Sequence, residues 1–141
     1  MSLLAAYADA WADGRTDAIA AHWSPSDFRC YKAEEIAEPF LTWDATLAYW
    51  HSNEAMHECV VLTFERDVVL PLADGWSAIL AFMRWDIRFR AAAPAPLGGK
   101  AMGGDNHVLA LARAGKLAGW IEAPDAPVSY IRRLYEQSAR I

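Results

Sequence analysis

The sequence predicts an α+β fold: a strongly curved antiparallel sheet wrapped around N-terminal helices, leaving a cone-shaped hollow, with a helix at the C-terminus. Three observations lead there. Helical patterning occupies the first third and the last residues, and strand patterning fills the space between, which is the segregation that defines α+β architecture. The stretch Trp76 to Arg90, WSAILAFMRWDIRFR, is the longest continuous strand signal, and its alternate positions form two unlike faces. Finally, seven Trp, five Tyr and five Phe in 141 residues call for a heavy core, a ring-lined pocket or an apolar subunit interface.

Taken in order, Ser2 is positioned to cap a helix running to about Asp13, with Leu4, Tyr7, Ala8 and Trp11 on one face and Gly14 ending it. A second helix, Thr16 to about Trp23, turns Ile19 and Trp23 inward and stops at Ser24-Pro25. Asp27 to Lys32 reads as a short strand, with Phe28 and Cys30 on one side and Arg29 and Tyr31 on the other. Thr42 caps a third helix to about Ser52, whose Trp43, Leu47 and Trp50 recur at i, i+4 and i+7. That stripe suits either core packing or pocket lining.

Met56 to Leu70 is rich in strand formers, with Glu65-Arg66-Asp67 as a bulge or bend. Ala73-Asp74-Gly75 turns the chain into the central strand. On that strand Ile79, Ala81, Met83, Trp85, Ile87 and Phe89 form an apolar face fit for a closed core or a greasy cavity. The opposite face begins apolar and ends in Arg84, Asp86, Arg88 and Arg90. The following AAAPAPLGGKAMGG reads as a long loop. Asp105 to Arg113 and Lys116 to Ala123 form a hairpin around Ala114-Gly115, and Asp125 and Pro127 open a last helix carrying Val128, Ile131, Leu134 and Tyr135. No repeat or boundary divides residues 1–141, so one domain is expected.

A net charge of −5 with only 13 Lys and Arg argues against nucleic acid, which needs a basic face. The N-terminal segment has no basic region and carries Asp9 and Asp13 within its apolar pattern, unlike a signal peptide or membrane span, so a cytoplasmic protein is expected. Cys30 and Cys59 suit reduced thiols better than a disulfide, and His22, His51 and His57 have no metal-ligand spacing; neither metal nor cofactor is expected. His107, just beyond the glycine-rich loop, is a candidate general base at a pocket mouth with Asp105 on the same strand face to orient it, or else an ordinary strand residue.

The segment YADAWADGRTDAIAAHWS, the short strand, the third helix, the long central strand and RAGKLAGWIEA together resemble the nuclear-transport-factor-two-like (cystatin-like) superfamily in its SnoaL-like, polyketide-cyclase-like branch. The resemblance implies a homodimer joined through the outer sheet face and a pocket for a small apolar molecule at the open end of the cone. It implies no single reaction. The candidate ligand-binding residues are Tyr31, Trp50, Met83, Trp85, His107 and Trp120, with Tyr31 as a phenolic donor as in ketosteroid-isomerase-like members.

A narrower resemblance is to limonene-epoxide-hydrolase-like enzymes, through Arg84-Trp85-Asp86 and the GKLAGWIE run ending at Glu122. It implies a catalytic trio of Asp86, Arg84 and Glu122, in which one carboxylate activates water, the other protonates the epoxide oxygen, and the arginine between them holds one ionised while the other keeps its proton. Parity sets a condition. If the apolar face of the strand lines the cavity, Arg84 and Asp86 point to solvent or to a partner. Two uses of the hollow therefore remain: a binding domain, or a cofactor-free hydrolase, isomerase or cyclase.

Overall fold

A computed structural model describes residues 1–125. The expected helix bearing Val128, Ile131, Leu134 and Tyr135 lies outside the described residues. Helix α1 (Leu3–Asp13) is capped by the Ser2 hydroxyl, which accepts from the Ala5 N–H at 3.2 Å, and ends at Gly14 in the left-handed conformation (φ 79°). It buries Leu4, Tyr7, Ala10 and Trp11.

Helix α2 (Thr16–Ala20) stops earlier than its pattern suggests. Past it the backbone bonds to the sheet instead: Leu117 N–H donates to His22 O at 2.8 Å, and Ser24 N–H donates to Leu117 O at 2.9 Å. Those bonds carry Trp23 into the core as an extended residue rather than a helical one. Strand β1 (Cys30–Lys32) is correspondingly short. Helix α3 (Trp43–Met56) begins at the Thr42 cap, whose Oγ1 accepts from Ala45 N–H at 3.3 Å, and runs a turn beyond Ser52.

Four long strands follow: β2 (His57–Pro71), β3 (Trp76–Phe89), β4 (Ala101–Arg113) and β5 (Lys116–Pro124). The sheet order is β1-β5-β4-β3-β2. Every pairing is antiparallel except β1 with β5, so the sheet is mixed rather than wholly antiparallel. The Glu65–Asp67 irregularity is a bulge in β2, where the register with β3 shifts between Glu65 and Val68 and Arg66 has φ 54°.

The glycine-rich segment expected as loop already belongs to β4 from Ala101 onward. Its glycines serve cross-strand packing. A Cβ on Gly104 would stand 3.0 Å from the Trp85 indole, and one on Gly103 would stand 2.6 Å from Asp86 Oδ1.

The concave face of β3 is the apolar one: Ile79, Ala81, Met83 and Phe89 are buried, with Trp85 and Ile87 beside them. The helices cover this face. Trp50 of α3 is 1% exposed and sits within 5.3–6.4 Å, centroid to centroid, of Tyr31, Trp23, Trp43 and Trp11. No described helix is long and apolar enough to cross a membrane.

Candidate functional site

The rings do not fill the cone. A cavity of about 510 Å³ remains at its wide end, between α1, the end of α3 and the concave faces of β2, β3 and β5. This lies within the ~300–1,000 Å³ typical of small-molecule sites. Trp11, Val60, Leu62, Met83, Ile87 and Phe89 supply much of its apolar wall, and Leu97 reaches it from the loop after β3.

The polar centre of that wall is Glu122. Residues two apart on a strand share a face, so Trp120 and Glu122 of β5 both turn inward, and the Trp120 Nε1–H donates to Glu122 Oε1 at 2.8 Å. Because β1 runs parallel to β5 with Lys32 opposite Ile121, the turn after β1 passes beside Glu122. There the Glu34 N–H donates to Oε2 at 2.8 Å. From β4, the fully buried Asn106 donates through Nδ2 to the same oxygen at 3.3 Å.

Burial raises the Glu122 carboxyl from 4.5 to about 7, and the charges of Glu35 and Glu34 push the same way against the downward pull of the bonds from Trp120 and Glu34. A carboxyl titrating near neutrality can exchange a proton with a bound molecule or anchor one. Glu34 itself accepts from Trp85 Nε1–H at 3.1 Å. Glu35 stands at the mouth, where desolvation, then Glu34, raises its carboxyl while Lys32 lowers it. Burial pushes the Tyr7 and Tyr31 phenols upward, so both stay neutral. His57, at the α3–β2 junction, is held below its ordinary range by desolvation and by Arg90.

Tyr31, Met83, Trp85 and Trp120 thus line the cavity together with Glu122. The other residues singled out in the sequence lie elsewhere. Trp50 packs inside the ring cluster behind the wall. His107 is on the convex face, edge-on to Phe82 at 5.6 Å, with Nε2 3.4 Å from Asp125 Oδ1. Arg84 pairs across strands with Asp105 at 3.0 Å, also on the convex face, and Asp86 is exposed there over Gly103.

The expected convergence of Arg84, Asp86 and Glu122 therefore does not occur. Strand parity is the reason: β3 turns Met83, Trp85 and Ile87 inward and their neighbours outward. Asn106 and the Glu34-Glu35 pair were not foreseen. The parity that turns His107 outward aligns Asn106 with the buried Val108, Ala110 and Ala112, and this was readable. Nothing local marks Glu34 and Glu35 beyond their position after a strand that carries Tyr31.

No protein-family model matches the sequence, and no curated protein matches it. Solved structures do. A candidate aromatic ring hydroxylase from Novosphingobium aromaticivorans superposes with a TM-score of 0.73 at 14% identity, over 90% of this chain and 87% of that one. An NTF2-like superfamily protein from Salmonella enterica gives 0.73 at 6%, over 91% and 89%. A protein with a ketosteroid isomerase-like fold from Catenulispora acidiphila, in complex with trimethylamine, gives 0.61 at 15%, over 88% and 85%. At such identities the likeness is one of fold: the chain has the α+β cone of the nuclear-transport-factor-two-like proteins.

Proposed function

We propose that this protein binds a small, largely apolar molecule in the cone, with Tyr31, Met83, Trp85 and Trp120 as walls and Glu122 as the polar anchor. One observation carries the reading: a single largely buried carboxyl, held by three donors, opens onto a cavity of about 510 Å³ whose wall is otherwise mostly apolar. Sites of this composition bind ligands by apolar contact and orient them through a few polar groups. The trimethylamine held by one structural neighbour agrees with a ligand-binding use of the fold.

Titration with the neutral fluorophore N-phenyl-1-naphthylamine tests it. Saturable binding to the wild type, lost in a folded Val60→Trp variant whose indole fills the cavity, is the expected result. Equal binding by both would remove the cavity from the reading.

A second reading is favoured by the Glu122 carboxyl near 7. There Glu122 takes a proton from carbon beside a ligand carbonyl and returns it elsewhere, a cofactor-free isomerase. Solvent deuterium appearing in a panel of cyclic ketones with wild type but not with Glu122→Gln is the signature. An epoxide hydrolase built on Arg84 and Asp86 has no such support, since neither reaches the cavity.

The proposal extends to pairing of two copies through the convex face. Val68, Leu80, Leu109 and Ile121 are cross-strand neighbours and form an exposed apolar row across β2, β3, β4 and β5. A monomer by sedimentation that Leu80→Glu leaves unchanged would refute the pairing. The cytoplasm is the proposed compartment, in keeping with the free thiols of Cys30 and Cys59.

A further inference from the structure

We propose that the molecule taken by this cavity is an organic cation: a protonated or quaternary amine on an apolar body. This rests on the small-molecule reading above and narrows it to a ligand class. The first support is the charge inventory of the wall. Glu34, Glu35 and Glu122 all line it, while no lysine or arginine is among the described lining residues. Among the described residues His57 is the one basic side chain on the lining, and desolvation and then Arg90 hold it below its ordinary range, so it is neutral at pH 8. Lys32 Nζ is engaged by the Ala33 carbonyl at 2.9 Å, and Arg90 acts on His57.

A neutral or anionic guest would leave this acidic wall uncompensated, whereas a monocation relieves it. Among the described residues Glu122 accepts only from neutral donors and Glu34 accepts from an indole, while Glu35 has Lys32 as the cation that acts on it. The ion pairs among the described residues, such as Arg84 with Asp105 and Arg113 with Asp27, lie on other surfaces.

The second support is the kind of ring beside these acids. Trp85 and Trp120 tie their N–H edges to Glu34 and Glu122, so each indole stands directly against a carboxylate at the cavity wall. An aromatic face next to an acid is the setting in which an ammonium gains most, because ring quadrupole and carboxylate attract the same charge in a partly desolvated space. Among the described residues, the titratable groups facing Glu122 are Glu34 and Glu35 from the turn after β1, Tyr31 from β1 and Tyr7 from α1, all acidic or neutral.

The test is displacement of N-phenyl-1-naphthylamine from the full chain at pH 8 by benzyltrimethylammonium, its uncharged isostere neopentylbenzene, and phenylacetate. The expected result is that the cation competes at least about tenfold more strongly than the isostere, and that phenylacetate is weakest. Glu122→Gln should erase most of that preference, read as the ratio of cation to isostere competition within the same protein. Glu34→Gln, at a less buried site, should reduce it as well and covers the case in which Glu122→Gln fails to fold. If the isostere competes as well as the cation, the cation proposal is overturned and the binding reading stands. If the fluorophore does not bind the wild type, both fall.

Discussion

Replacing Glu122 by Gln should remove a pH dependence from the stability of the whole chain. The Glu122 carboxyl is raised from 4.5 to about 7 in the folded protein. Between those values the folded chain keeps a proton that the unfolded chain has released, so unfolding sheds protons and stability falls as pH rises. Below 4.5 both states are protonated and nothing is lost; above 7 the loss is complete. At about 1.4 kcal/mol for each tenfold in proton affinity, it amounts to about 3 kcal/mol, an order-of-magnitude figure for a buried group.

With an unfolding entropy of roughly 2.1 cal/mol/K per residue, that corresponds to about 10 °C in Tm for a chain of this length. His57 runs the other way. Its depressed pKa costs stability as pH falls through the ordinary histidine range, and this contribution is common to both proteins. The quantity to measure is therefore the wild-type minus Glu122→Gln difference, by thermal unfolding followed through tryptophan fluorescence from pH 4.5 to 8. Gln must turn an N–H toward one of the three donors, which lowers the variant's stability by about 1–3 kcal/mol at all pH values without tilting the curve. A difference that is flat across the range would refute the buried-carboxyl account. So would a Glu122 carboxyl carbon resonance titrating near 4.5.

Trp120→Phe deletes the donor to Glu122 Oε1, and since that bond lowers the carboxyl's pKa, the same NMR titration should move upward. A downward move or none would show that the bond does not hold the charged form. Gly104→Val places methyl groups where the Trp85 indole lies, 3.0 Å from the new Cβ. It should cost about 1–3 kcal/mol by denaturant unfolding and release Trp85 from Glu34, seen as altered indole fluorescence; wild-type stability and spectrum would refute it. The double variant Arg84→Ala, Asp86→Asn touches only the convex face and should leave fluorophore binding in the cone unchanged, whereas lost binding in a folded double variant would return those residues to the site.

Much of the cone was legible because the concave and convex faces of a long strand differ in chemistry. Along Trp76–Phe89 the period of two sorts Ile79, Ala81, Met83, Ile87 and Phe89 from Arg84, Asp86 and Arg88 without any tertiary knowledge. Caps at Ser2 and Thr42 and the turns at Asp74 and Ala114 are equally local. What periodicity does not convey is depth. Trp50 and Trp120 are both fully buried rings, yet one is boxed in by four others and the other borders a void, and only the spacing of helix from sheet separates them.

The parallel pairing of β1 with β5 is likewise non-local, and it decides the chemistry of the site. It brings the turn after β1, with its Glu34 N–H and two carboxylates, beside a strand some 90 residues later in the chain. A motif on one strand can therefore suggest Glu122, but its proton affinity is set by neighbours that no motif contains. Arg84-Trp85-Asp86 is the converse case. It carries the residue types that a catalytic pair needs, yet the same pleat that brings Trp85 to the cavity turns both charges away from it. Residue type and spacing propose a site; which face of the pleat is covered disposes of it.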